Sequence, residues 1–200
     1  METNQDLKER HLYSIKGVFP KYIIKKFLSS YSTYVSIGIA IILYLLIIFF
    51  QQNNTFEILK EIIELTLNLL PNILGFCIGG YALIIGIGNI EALRKMSSPM
   101  KKRDNLSFFQ ILSSIFAGSL VLQCITLLLS FIINIILKLE IPAISNQIAT
   151  IINSVVIVSV LFLSVLSITL LYYTVINLFN YGQSMHFLIR LEKIEQDERH

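Results

Sequence analysis

The chain has 200 residues and a formal charge of +3, with 54% hydrophobic residues against 14% charged. Soluble domains carry roughly 25% charged residues, and none leaves a stretch like Ile141 to Ile189 without one Lys, Arg, Asp or Glu on its surface, so a soluble fold is excluded. The basic excess lies in clusters beside apolar segments, so no direct nucleic acid binding is expected.

Four charge-free intervals organise the sequence: Phe27 to Phe56, Leu65 to Ile90, Asn105 to Leu137 and Ile141 to Ile189. Each exceeds the ~20 residues that span a hydrocarbon core. They predict an all-α, polytopic membrane protein. It is a four-transmembrane-helix bundle, residues 30–176, with short cytoplasmic helices at both ends. Residues 1–29 form a cytoplasmic or interfacial segment in which Leu12, Ile15, Phe19, Ile23, Ile24, Phe27 and Leu28 interleave with lysines, as in a helix lying among headgroups. Scattered charge there, without an apolar core and cleavage site, argues against a cleavable signal peptide.

The first span, 31–50, ends at Gln51, Gln52, Asn53 and Asn54. The second span, 67–90, carries Asn68, Asn72, Gly75, Gly79, Ala82, Gly86 and Asn89 at alternating spacings of four and three. These fall on one helical face. Small residues so placed permit close helix approach, so they are expected to form a packing seam, either inside the bundle or between subunits. Pro71 is expected to kink the helix, with Asn68 and Asn72 available to the carbonyls it frees. Upstream, Glu57, Glu61 and Glu64 make an acidic face: a solvated helix end, or a vestibule that gathers cations if several copies surround a pore.

The third span, 109–137, offers Gln110, Ser114, Ala117 and Cys124. The fourth, 147–176, offers Thr150, Asn153, Val160, Ser164, Ser167 and Thr174. One helix is preferred to two in the last interval because Thr150 to Tyr173 holds neither Gly nor Pro to turn on. Neither stripe contains an ionisable group, which disfavours a pump or an ion-coupled carrier. Residues 177–200 are an amphipathic tail with Phe187, Leu188, Leu191 and Ile194 recurring among charges.

Basic residues flanking a span resist translocation. Six lie before the first span, five in the loop Arg94, Lys95, Lys101, Lys102 and Arg103, and three in the tail. Only Lys60 and Lys138 lie on the other side. Both termini are therefore assigned to the cytoplasm, in a bacterial inner membrane. The basic loop, with Leu188, Leu191 and Ile194, is expected to contact lipid or a cytoplasmic protein partner.

No enzymatic constellation is expected. Gly86, Gly88 and the missing third glycine do not make a nucleotide loop, and His11, His186 and His200 are isolated. Cys77 and Cys124 stand alone in apolar segments as small hydrophobes, and no cofactor or metal is expected. In length, span count and orientation the chain resembles the small membrane subunits of phage-defence operons, such as that of the Kiwa system. That resemblance implies an oligomeric membrane sensor that recruits a soluble cytoplasmic effector, and it carries over no individual residue. An oligomeric channel or membrane-disrupting effector, with the hydroxyl-bearing faces of the third or fourth helix around a pore, is the alternative.

Overall fold

The computed structural model describes residues 18–19, 30–50, 55–87, 94, 96–98, 106–139 and 146–197. Its regular elements are four α-helices: α1, Tyr31–Phe50; α2, Thr55–Ile87; α3, Phe108–Lys138; and α4, Asn146–Asp197. All four are long and apolar enough to cross a membrane. The expected helix over residues 1–29 lies outside the described residues, apart from Val18 and Phe19.

Three boundaries differ from the sequence expectation. Helix α2 begins at Thr55, twelve residues before the anticipated span, and continues through Pro71. Helix α3 opens on a capping box, in which the Ser107 amide donates to Gln110 Oε1 at 2.8 Å and the Gln110 amide to Ser107 Oγ at 3.1 Å. Most importantly, α4 does not stop near Ile176. It runs unbroken for 52 residues through Asn177, Asn180 and Gly182, so the tail is the end of α4 and not a separate helix. Gly costs a helix interior only about 1 kcal/mol, and Leu178, Tyr181, Met185 and Leu188, one face of the same segment, are packed against a core.

The chain forms two compact units. One comprises residues 29–76 and 119–172. Its apolar core joins Ile58, Leu59 and Ile63 of α2 to Ile157 and Val160 of α4, with Tyr44 and Ile47 of α1 and Ile133 and Leu137 of α3 against them. In this unit α2 and α4 run parallel in register: Asn153 Nδ2 donates to Thr55 Oγ1 at 3.5 Å, and Thr66 Oγ1 lies 3.1 Å from Ser164 Oγ, both pairs 98 residues apart.

The other unit comprises 77–118, 173–200 and the described residues of 1–28. Ile84, Met96, Leu112, Phe116 and Tyr181 form its core, with Tyr81 stacked on Phe116 at 5.8 Å. The Tyr181 hydroxyl donates to the Ile84 carbonyl at 3.0 Å. A Cβ on Gly118 would stand 3.3 Å from the Phe19 ring, so glycine makes the room in which that ring rests.

Candidate functional site

The interior of the unit built from 29–76 and 119–172 is polar in a way that its exterior is not. Along α3, Ser119, Gln123, Thr126 and Ser130 recur at four, three and four residues and are all at most 2% exposed. The other helices contribute hydroxyls that pair with one another. Ser36 Oγ lies 2.8 Å from Thr169 Oγ1, and because Thr169 gives its proton to the carbonyls of Val165 and Leu166, Ser36 is the donor. Thr66 likewise donates to the Ile62 carbonyl at 2.8 Å, so Ser164 donates to Thr66. Among the described residues, the buried polar side chains are all Ser, Thr or Gln. Of the α4 stripe anticipated from sequence, Val160, Ser167 and Thr174 are buried and Asn153 and Ser164 half-buried, while Thr150 is exposed and bonded to the Asn146 carbonyl. In the α3 stripe Ser114 is buried, Gln110 and Ala117 are half-buried and Cys124 is exposed.

Those stripes are therefore in part buried in the protein and in part exposed. The α3 row that does face inward, Ser119 to Ser130, escaped the sequence reading, although its spacing was a usable signal.

Helix α2 has two opposed faces. Ile63, Thr66, Leu70, Ile73, Cys77, Gly80 and Ile84 are buried. Asn68, Asn72, Gly75, Gly79, Ala82 and Gly86, the expected seam, are all exposed, and a Cβ on Gly75, Gly79 or Gly86 would meet nothing within 4 Å. Asn89, the last position of that stripe, lies outside the described residues. Among the described residues, the seam is left exposed. The glycine that does admit close packing is Gly80, whose added Cβ would touch Phe116 at 3.7 Å and Leu178 at 3.8 Å. Asn72 Nδ2 donates to the Asn68 carbonyl at 3.2 Å, one residue past the Leu67 carbonyl that Pro71 leaves without its usual donor.

Toward its N-terminus the same outward face is completed by Glu57, Glu61 and Glu64, all exposed, with Lys60 beside them. These charges do not project beyond the bundle. They alternate with Ile58, Leu59 and Ile63, which pack at the level of Tyr44 and Ile47 of α1 and Ile133 and Leu137 of α3. At that level the neighbouring helices turn large apolar side chains outward, among them Leu45, Ile48, Ile132 and Ile136. An acidic face thus sits within a belt of exposed apolar surface.

At the other end of α2, Arg94 is exposed, and Lys95, Lys101, Lys102 and Arg103 lie outside the described residues. Leu188 packs on the Ile84–Tyr181 core, Leu191 is half-buried and Ile194 is 47% exposed. Part of the tail stripe is consequently engaged with the protein itself. Among the described residues, no three of His, Cys, Asp and Glu converge into a metal site.

The sequence matches no protein-family model and no curated protein, and the fold matches no solved structure.

Proposed function

We propose that the chain is a non-enzymatic, multi-pass subunit of a bacterial inner membrane, with both termini in the cytoplasm, that assembles with copies of itself through the outward face of α2. One observation carries this reading. From Glu57 to Gly86 that face holds acids, amides, glycine and alanine, while the outward faces of the other helices hold large apolar side chains. Hydrocarbon solvates Leu45 or Ile136 well, but it leaves exposed carboxylates and amides without partners. Small residues give a second helix close van der Waals contact, the force that holds helices together in lipid. Covering the face with another copy satisfies both needs. The basic flanks support the cytoplasmic assignment of the termini, and the basic loop with Ile194 supports docking of a soluble protein there, in keeping with the resemblance to phage-defence subunits.

Disulfide cross-linking tests the assembly. In a background with Cys77→Ala and Cys124→Ser, Gly79→Cys is expected to join copies on oxidation in native membranes, whereas Leu128→Cys, on the apolar outward face of α3, is not. Cross-linking at position 128 with none at 79 would overturn the reading.

A second reading, a cation channel, is favoured by the level of Glu57, Glu61 and Glu64. Gathered around an axis by several copies, these carboxylates would draw cations into a polar path along α2. Cation flux into vesicles that falls when Glu61→Gln is introduced would favour it; no flux in any state would leave the subunit reading alone.

A further inference from the structure

Two hydrogen bonds set the height of the charges on α2. Thr66 is level with Ser164 of α4, and Thr169 of α4 is level with Ser36 of α1, which runs the opposite way. Counted along the helices from these pairs, Thr66 is level with Ile41, and Lys60 and Glu61 are level with Ile47 and Leu46. The packing of Ile47 on the core of Ile58 and Leu59 agrees. Helix α1 has 20 residues, the length of a hydrocarbon core, and ends at Phe50. Lys60 and Glu61 therefore lie ~5 Å inside that end, and Glu64 about one turn deeper. Leu45, Leu46 and Ile48 are exposed at the same height. Charged side chains so placed need partners, because lipid supplies none.

Lys60 and Glu61 cannot satisfy each other on one helix, where adjacent residues point about 100° apart. Relative to the line through Glu57 and Gly75, Lys60 falls about 60° to one side and Glu61 about 40° to the other. In two parallel helices that meet along such a line, the residues at one edge of the seam on one helix stand beside those at the opposite edge on its neighbour. A parallel second copy thus brings each Lys60 beside the other copy's Glu61 at nearly one height, twice by symmetry. Glu64, close to the line itself, comes beside the second copy's Asn68, whose amide can donate to it. Glu57 is level with Phe50, at the outer edge, and Lys138 is exposed at the end of α3.

We infer that copies of the chain are joined by reciprocal ion pairs between Lys60 of one and Glu61 of the other, set in the outer part of the α2 seam. The complementary charges belong to the same short stretch of one helix, so the partner that matches them is this chain in the same orientation. The glycines and Ala82 let the two helices come close, and the ion pairs fix their register.

The inference rests on the assembly proposed above, and charge reversal in the cysteine-substituted Gly79→Cys protein, full length and in native membranes, tests it. Lys60→Glu and Glu61→Lys, each alone, set like charges against each other across the interface and are expected to lower disulfide cross-linking about tenfold. Two copies that each carry one reversal, co-expressed under different tags, are expected to cross-link to each other at close to the parental yield. A copy carrying both reversals is expected to regain self-cross-linking. Restoration between two singly reversed copies also demonstrates that each has folded. An ion pair inside one helix, Lys60 to Glu64 at i+4, gives loss that neither combination restores, and that result would overturn the inference. Parental cross-linking in both single variants would overturn it too, leaving assembly through α2 without this pair. Absence of cross-linking in the parental Gly79→Cys protein would remove the assembly and the ion pairs together.

Discussion

Gly79 and Gly80 are neighbours in α2 and face opposite ways: a side chain on Gly80 would press on Phe116 and Leu178, whereas one on Gly79 would project into open space. The pair separates folding from the assembly proposed above. Gly80→Ala places its Cβ at ordinary contact distance, so it is expected to hold or raise stability by up to about 1 kcal/mol through helix propensity. Gly80→Leu overpacks the core and is expected to cost about 1–3 kcal/mol. Gly79→Leu is expected to leave the subunit's unfolding midpoint in detergent unchanged while shifting the complex to smaller species in size-exclusion with light scattering.

The Ser164-to-Thr66 hydrogen bond joins α4 to α2 inside the polar interior. A double-mutant cycle with Ser164→Ala and Thr66→Val, read by reversible unfolding in mixed micelles, is expected to give a coupling of about 0.6 kcal/mol, the mean for interhelical bonds in membranes. Ser130 gives the contrast. Its hydroxyl is buried without a hydrogen-bond partner, so Ser130→Ala is expected to be neutral or stabilising.

The capping box at the start of α3 satisfies two amides that no helical carbonyl reaches. Ser107→Ala removes one of these bonds, and a loss of about 1 kcal/mol is expected. Thermal unfolding followed by circular dichroism measures it, with Ser107→Asp restoring most of the loss because aspartate also accepts from the Gln110 amide.

Continuity of α4 through Gly182 predicts slow amide exchange on both sides of it. Gly182 is exposed and an added Cβ meets nothing, so Gly182→Ala is expected to deepen protection of residues 183–190 by up to about 1 kcal/mol. Gly182→Pro is expected to cost about 3 kcal/mol locally and to expose the Tyr181 region. Hydrogen exchange with peptide-level mass spectrometry reads both. Fast exchange confined to 177–183 in the unsubstituted protein would mean that the helix ends there.

Span count was legible because hydrophobic length is a property of the sequence alone. Four intervals without charge give four helices whatever their neighbours do. Helix boundaries were less legible. The polar cluster from Asn177 to Gly182 reads locally as a stop, yet Leu178, Tyr181 and Leu188 are held against Ile84, Met96 and Phe116, and tertiary contact outweighs a weak local preference.

The sequence by itself determined that α2 has a face of small and polar residues, since a helical period of about 3.6 brings Asn68, Gly75, Gly79 and Gly86 together without reference to anything else. Only the tertiary structure decided which way that face looks. Ile63, Leu70, Cys77 and Ile84 lie on the opposite side and are buried, and a helix can turn only one of two opposed faces to its own bundle. With apolar contacts and the hydroxyls of α1, α3 and α4 filling the interior, the acids, asparagines and glycines of that face are left exposed among the described residues.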